Sequence, residues 1–274
     1  MQIRFSKMQG LGNDFILIDG RQQPFEPHAE LIQRLADRRT GIGFDQALVL
    51  EAPREPGTAL YYRVFNADGS EVEQCGNGAR CIARLLDPSR PGEEILLQSA
   101  GGIIRARCLE NGDVLVDMGV PCFSPEAIPI QTEKEQESYS LRVADDSIQV
   151  GAVSMGNPHA VLQVENVATA PVAQLGPAIC CHPFFPRQAN VGFMEIANRS
   201  TLKLRVYERG AGETLACGTG ACAAAVMARH WGQTDESVEV QLPGGRLQVS
   251  WKGEGQSVWM SGPAEFVFEG KFDL

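Results

Sequence analysis

Two cysteines open nearly the same phrase. Cys75-Gly76-Asn77-Gly78-Ala79-Arg80-Cys81 returns as Cys217-Gly218-Thr219-Gly220-Ala221-Cys222. Each reads as a thiol, a flexible Gly-x-Gly and the start of a helix. That position lowers a thiol's pKa, because unpaired N–H groups and the helix dipole favour the thiolate. Glycine beside the cysteine lets the backbone approach a ligand closely, and the same N–H groups can hold a carboxylate. Two copies set face to face would place one thiol on each side of a substrate carbon. One thiolate would remove a proton and the other thiol would return one to the opposite face, inverting a carbon next to a carboxylate. A free thiol pKa of about 8.5 can be adjusted towards neutrality. A carbon acid is far weaker, so the step needs exclusion of water and strong stabilisation of the developing enolate.

The duplication reaches beyond the glycines. Arg63-Val64-Phe65-Asn66 matches Arg205-Val206-Tyr207-Glu208, each ending nine residues before its cysteine, and Glu71 and Glu213 each lie four before. Gly12-Asn13 matches Gly156-Asn157, Gly101-Gly102 matches Gly244-Gly245, and Met118 to Pro121 matches Met260 to Pro263. One order of landmarks at an offset of 142 to 144 predicts two similar halves. The expected boundaries are 1–118 for the half carrying Cys75 and 119–264 for the half carrying Cys217. The alternating segment from Glu265 lies beyond the second repeat, so it returns to the first half or forms an interface. The halves also differ: Asn66 becomes Glu208, followed by Arg209, and Phe15 becomes His159. An acid, a base and a guanidinium enter one copy only, as expected for a substrate that is not symmetric about its reacting carbon.

The elements that must position these groups can be placed coarsely. Strands are expected at 2–9 and 14–19 around Gly10-Leu11-Gly12-Asn13, then a helix over 27–38 with Gly41 as its stop. Strands at 47–50 and 60–66 follow, with Gln46 just ahead of the first. The helix after Cys75 carries Cys81, Ile82, Leu85 and Leu86 on a stripe, with Pro88 marking its end. Strands follow at 94–99, 102–109 and 113–119, with Asn111-Gly112 suited to a tight hairpin. Residues 131–138 read as a solvated loop. Thr201 to Tyr207 alternates with Leu202, Leu204 and Val206 on one face. The small side chains after Cys217 predict a central helix, with strands near 237–243, 245–251 and 256–260.

The composition is that of a soluble globular protein: 274 residues, 43% hydrophobic and 21% charged. A net charge of −10 argues against nucleic acid or an anionic membrane as the main partner. Met1 to Lys7 lacks a secretory apolar core and no run approaches membrane-spanning length, so a cytoplasmic protein is expected. Eight cysteines are too few for a disulfide scaffold in so long a chain.

The sequence resembles the diaminopimelate epimerase family along its whole length. The resemblance rests on Gly10-Leu11-Gly12-Asn13-Asp14-Phe15, Asn66-Ala67-Asp68-Gly69-Ser70, Cys75-Gly76-Asn77-Gly78, Gly156-Asn157-Pro158-His159, Glu208-Arg209-Gly210 and Cys217-Gly218-Thr219-Gly220. It implies an α/β (α+β) architecture of two mirrored halves, each a mixed, mostly antiparallel sheet wrapped around a central helix, with the active site in the cleft between them. It implies conversion of LL-2,6-diaminopimelate to the meso isomer in lysine and peptidoglycan precursor synthesis, without pyridoxal phosphate or metal. Cys75 and Cys217 would be the acid/base pair, assisted by His159 and Glu208. Asn13, Gln46, Asn66, Gly76, Asn77, Asn157, Asn190, Glu208, Arg209, Gly218 and Thr219 match the family's substrate-binding positions. A homodimer is expected.

Other readings compete with this one. Cysteines are usually small buried hydrophobes, and that reading is taken for Cys81, Cys108, Cys122, Cys180, Cys181 and Cys222. Zinc ligands cluster at C-x₂₋₄-C spacing, whereas Cys75 and Cys81 are six apart and Cys180-Cys181-His182 is contiguous, so no metal is expected. His28, His182 and His230 read as surface or satisfied core residues. Neither Gly-x-Gly completes a dinucleotide fingerprint or carries a Walker lysine. A sister racemase acting on proline or hydroxyproline would share the two thiols, but Glu208-Arg209 and the asparagines favour a substrate with a second polar end. A thiol-based binding or redox module would tolerate loss of Glu208 and His159, and an epimerase should not.

Overall fold

The computed structural model describes residues 1–73, 75–86 and 92–274. Gln74, at the end of the expected polar loop, and Pro88, the expected helix stop, lie outside the described residues. The chain divides into two compact units, Met1–Val116 with Gly262–Leu274, and Asp117–Ser261.

The first unit contains β1 (Gln2–Gly10), β2 (Asn13–Asp19), α1 (Ala29–Ala36), β3 (Gln46–Glu51), β4 (Leu60–Asn66), β5 (Glu71–Val72) and α2 (Gly76–Leu86). β6 (Ile95–Ser99), β7 (Gly102–Cys108) and β8 (Val114–Asp117) follow. The second unit contains β9 (Tyr139–Val143), β10 (Asp146–Ser154), β11 (Pro158–Gln163), α3 (Val172–Cys180), β12 (Asn190–Asn198), β13 (Thr201–Glu208), β14 (Gly212–Thr214) and α4 (Gly218–His230). It closes with β15 (Ser237–Leu242), β16 (Gly245–Trp251) and β17 (Val258–Gly262), and β18 (Glu265–Asp273) belongs to the first unit. Among the described residues no helix is long and apolar enough to cross a membrane.

Each unit is a mixed, mostly antiparallel sheet, and the two repeat one pairing plan. In the second, β9, β10 and β11 pair antiparallel in series, β11 meets β12 in parallel, and β12 meets β13 antiparallel. β13 then holds the short β14 antiparallel and β15 in parallel, and β16 and β17 complete the series antiparallel. In the first unit β1 to β8 follow the same plan with the same senses. The place that β9 holds beside β10 is taken beside β1 by β18, antiparallel from Gln2↔Asp273 to Gln9↔Glu265. The C-terminal strand therefore completes the first sheet.

The sheets are covered on both faces. Leu31, Ile32, Leu35 and Ala36 of α1 form one core with Ile16, Ile18, Ala47, Val49 and Phe65. Val172, Ile179 and Cys180 of α3 form its counterpart with Val150, Leu162, Val191 and Phe193. The other face wraps a helix: α2 packs on β1, β2, β6, β7 and β18, and α4 on β10 to β13, β15 and β16. Small side chains make that enclosure possible. Every residue of α4 from Gly220 to Ala228 is buried, as expected for a central helix.

The second glycine of each Gly-x-Gly is set by this packing. A Cβ on Gly78 would lie 3.0 Å from Leu48 Cδ2, and one on Gly220 would lie 3.1 Å from Val206 Cγ2 and 3.3 Å from Cys217 Sγ. A second repeated device anchors the short strand ahead of each cysteine. Arg63 grips Glu71 through two hydrogen bonds of 2.7 Å, and Arg205 grips Glu213 at 2.6 and 3.0 Å. These bidentate pairs align β5 on β4 and β14 on β13, four residues before the thiol.

Boundaries shift by small amounts from the sequence expectations. The helix expected over 27–38 runs only from Ala29 to Ala36, with His28 as N-cap and Asp37 as C-cap. Gly41 lies beyond that stop, where the returning loop presses on the last turn and a Cβ would collide with the carbonyls of Arg34 and Leu35. The Asn111-Gly112 turn is slightly wider than a two-residue hairpin, closing between the Leu109 N–H and the Asp113 carbonyl at 2.8 Å.

Candidate active site

In each unit the cysteine stands directly before the central helix, and its sulfur accepts the N–H three residues on. Gly78 N–H donates to Cys75 Sγ at 3.4 Å, and Gly220 N–H donates to Cys217 Sγ at 3.4 Å. This is the N-cap geometry, with sulfur taking one of the orphan donors of the first turn. Gly76 and Gly218 are the first residues of α2 and α4. Cys75 is half-buried and Cys217 is buried.

The strand ends beside each cysteine carry matching residues. In the first unit Phe15, Gln46 and Asn66 stand in register across β2, β3 and β4. In the second, His159 and Asn190 pair across β11 and β12, and Glu208 lies one residue past the Val191↔Tyr207 pair. Gln46 and Asn190 are thus equivalent, a match missing from the sequence comparison. Gln46 Nε2 donates to Asn66 Oδ1 at 2.9 Å, and Asn66 Nδ2 donates to Ser70 Oγ at 3.1 Å. Asn190 Oδ1 accepts the backbone N–H of Arg209 at 2.9 Å, and the Arg209 guanidinium donates to the Arg187 carbonyl at 2.9 Å.

The asparagines that follow the first turn of each repeat also hold matching places. Asn77 Nδ2 donates to Asn13 Oδ1 at 3.2 Å, and Asn13 Nδ2 donates to Asp45 Oδ2 at 3.0 Å. In the second unit Asn157 Nδ2 donates to Thr219 Oγ1 at 3.4 Å. Asn13 rests on a network present only in its own unit. Asp14 accepts from Lys7 at 2.6 Å and from Arg38 at 2.7 and 3.0 Å, and Arg38 also reaches Asp45 at 2.8 Å. Burial alone would raise the Asp14 carboxyl, but the hydrogen bonds and charges of Arg38 and Lys7 overcome it and hold it at about 2. Asn77 is buried, and its Oδ1 has no hydrogen-bond donor among the described residues.

A relay of contacts leads to Cys217. The Asn157 amide N–H₂ points to Thr219, so its Oδ1 faces His159 Nε2 at 3.0 Å and accepts from it. The Thr219 hydroxyl lies 3.5 Å from Cys217 Sγ. Burial, aided by the positive charge of Arg209, brings the His159 imidazole down to about 3, so this ring is neutral at physiological pH. The Cys217 thiol departs from the expectation of a lowered pKa. Burial raises it well above the ordinary thiol value, the facing Glu208 carboxylate raises it further, and donation from Thr219 and Gly220 only partly offsets this. The helix start does favour the thiolate, but desolvation is the larger effect.

The sequence reading passed over two hydroxyls. Ser70 holds Asn66, and Thr214 Oγ1 donates to Glu208 Oε1 at 2.5 Å. Thr214 could have been found by extending the repeat, since the matching residue in the first half is Val72. The remaining cysteines divide. Cys81, Cys108, Cys180 and Cys222 are buried, and burial pushes Cys81 up to about 12 and Cys180 up to about 11. Cys181 corrects its expectation as a buried hydrophobe: it is exposed at the C-cap of α3, and Cys122 is only half-buried.

A family model described as diaminopimelate epimerase matches residues 5–124 and 151–267. A diaminopimelate epimerase of Alkalilimnicola ehrlichii is 51% identical over 278 residues, covering 100% of both chains. One of Nitrosomonas europaea is 53% identical over 277 residues, again covering 100% of both. Among solved structures, a probable proline racemase from Agrobacterium radiobacter superposes with a TM-score of 0.72, covering 99% of this chain and 93% of that one. A PhzF-family phenazine biosynthesis protein from Bacillus anthracis gives 0.66, covering 100% of both. These two are 15% and 16% identical, a likeness of fold alone. With most of its length matched by the family model and with full-length relatives above half identity, the chain belongs to the diaminopimelate epimerase family.

Proposed function

We propose that the protein epimerises LL-2,6-diaminopimelate to meso-diaminopimelate by a two-thiol mechanism, supplying lysine and peptidoglycan precursor synthesis. The observation that carries this reading, beside family membership, is the pair of cysteines held by the same N-cap contact in two units whose surroundings otherwise differ. Cys75 and Cys217 work on opposite faces of one α-carbon. For an inversion, the thiol that takes the proton in one direction gives it back in the other, so each must visit both protonation states. Glu208 and His159 assist on the Cys217 side. There the carboxylate accepts from the thiol, and the neutral imidazole orders Asn157 and Thr219 around it.

The first turns of α2 and α4, beginning at Gly76 and Gly218, offer backbone N–H groups to the carboxylate at the reacting end. Asn13, Asn77, Asn157 and Thr219 bind the polar groups near that carbon. The unpartnered Asn77 Oδ1 suits an ammonium, since a buried acceptor without a donor is costly. Gln46, Asn66, Asn190, Glu208 and Arg209 suit a second, zwitterionic end. The working form is a cytoplasmic homodimer.

Incubation of the reduced protein with LL-diaminopimelate in deuterated water, followed by NMR and stereoisomer separation, tests the reading. Deuterium entry at one α-carbon with formation of the meso isomer is expected, and epimerisation should be lost in Cys75→Ala and Cys217→Ala. Absence of exchange under reducing conditions would sink the assignment. Turnover of proline or hydroxyproline instead would identify a sister racemase.

A further inference from the structure

The residue at the end of the fourth strand of each repeat is tied to a hydroxyl, but the two ties are built differently. In the first unit Asn66, on β4, donates to Ser70 Oγ at 3.1 Å. Ser70 has no counterpart in the second unit, where glycine stands at position 212. There Glu208, on β13, accepts from Thr214 Oγ1 at 2.5 Å. Thr214 in turn has no counterpart in the first unit, where the matching residue is Val72. The hydroxyl thus moves from one side of the short strand to the other along with the change from amide to carboxylate.

Thr214 is well placed to fix what it touches. It pairs with Val206 on β13, and its neighbour Glu213 pairs with Tyr207 and is gripped by Arg205 at 2.6 and 3.0 Å. The clamp holds the backbone of β14, and Thr214 passes that rigidity to the carboxylate. Three residues later the chain reaches Cys217, whose thiol faces the same carboxylate. Glu208 stands at a strand end with a flexible side chain, and the Thr214 hydroxyl gives its carboxylate a second hold beside the thiol contact.

We infer that Thr214 is a positioning residue of the epimerase site, holding Oε1 of Glu208 so that the carboxylate keeps its place beside the Cys217 thiol. This rests on the reading of Glu208 as a participant in the Cys217 half-reaction. A hydrogen bond to a charged acceptor is among the stronger kinds, and its loss is expected to act mainly through the proton step at Cys217.

The test compares Thr214→Val, Thr214→Ser, Glu208→Gln and the Thr214→Val/Glu208→Gln double variant in the diaminopimelate assay, with thermal midpoints alongside. Thr214→Val should lower kcat about tenfold with KM within about twofold. Thr214→Ser should recover to within about threefold of the wild type. In the Glu208→Gln background the valine change should cost under about twofold in residual α-proton exchange, because the group it positions is gone. If Thr214→Val fails to fold, Thr214→Ala takes its place in the cycle. Full activity of Glu208→Gln would overturn the reading of Glu208. A crippled Glu208→Gln beside an unaffected Thr214→Val, a serine variant as slow as the valine one, or fully multiplicative losses would each overturn the role of Thr214 alone.

Discussion

At the sulfur of Cys217 burial and the Glu208 carboxylate oppose the helix start, and burial prevails. Sequence position revealed the thiol and its capping N–H, but the desolvation comes from strands distant in the chain and could not be read there. His159 shows the same competition in a form that can be measured. Its imidazole titrates at about 3 in the folded protein, against about 6.5 in an unfolded chain. Between those values the unfolded chain takes up a proton that the folded one refuses, so stability is fully present above about pH 6.5 and falls as pH drops. The linkage amounts to about 2 kcal/mol between pH 7 and pH 5. Asp14, Asp19, Glu71 and Glu195, also held low, contribute mainly below about pH 5, so the histidine dominates this window. Urea denaturation of the wild type should therefore lose about 2 kcal/mol from pH 7 to pH 5. His159→Asn, whatever its absolute stability, should lose little over the same interval. An unchanged slope in the variant would mean that His159 is not the buried neutral group described.

Among the elements, legibility followed the number of covered faces. β13 shows one fully buried and one half-buried face, so Leu202, Leu204 and Val206 were visible as an alternation. The buried run of β3 came out as an apolar block, as expected when helices cover both sides. α3 was not legible, because Gly176 and Pro177 interrupt it. It forms because tertiary packing overrides propensity: Gly176 lets the helix sit against the ring of Tyr207, where a Cβ would lie 2.6 Å from Cγ. Gly→Ala inside a helix ordinarily stabilises by about 0.5–1 kcal/mol. Gly176→Ala should do the opposite, costing about 1–3 kcal/mol through overpacking against the ring. Chemical denaturation decides the sign, and a stabilised variant would show that α3 is free to move off β13.

At the scale of the whole chain, the repeat gave away the plan of two similar sheets, but the fate of the last strand needed the pairing itself. Glu265 to Glu269 is expected as an alternating strand, but Phe266, Val267 and Phe268 stand in a row and both faces of that stretch are exposed, at 53%, 52% and 44%. Phe5 meets the ring of Phe268 edge-on at 6.0 Å, which fixes the strand without covering it. Three consecutive large apolar residues left open on a strand are an association surface or an aggregation hazard. The homodimer proposed above would cover them. Size-exclusion chromatography with light scattering should return twice the chain mass of 29.7 kDa. Phe266→Glu combined with Val267→Lys should return a single chain with little change in monomer stability, because those side chains bury little within their own unit. A wild type that elutes as a single chain would remove the homodimer, and a dimer that survives both substitutions would place its interface elsewhere.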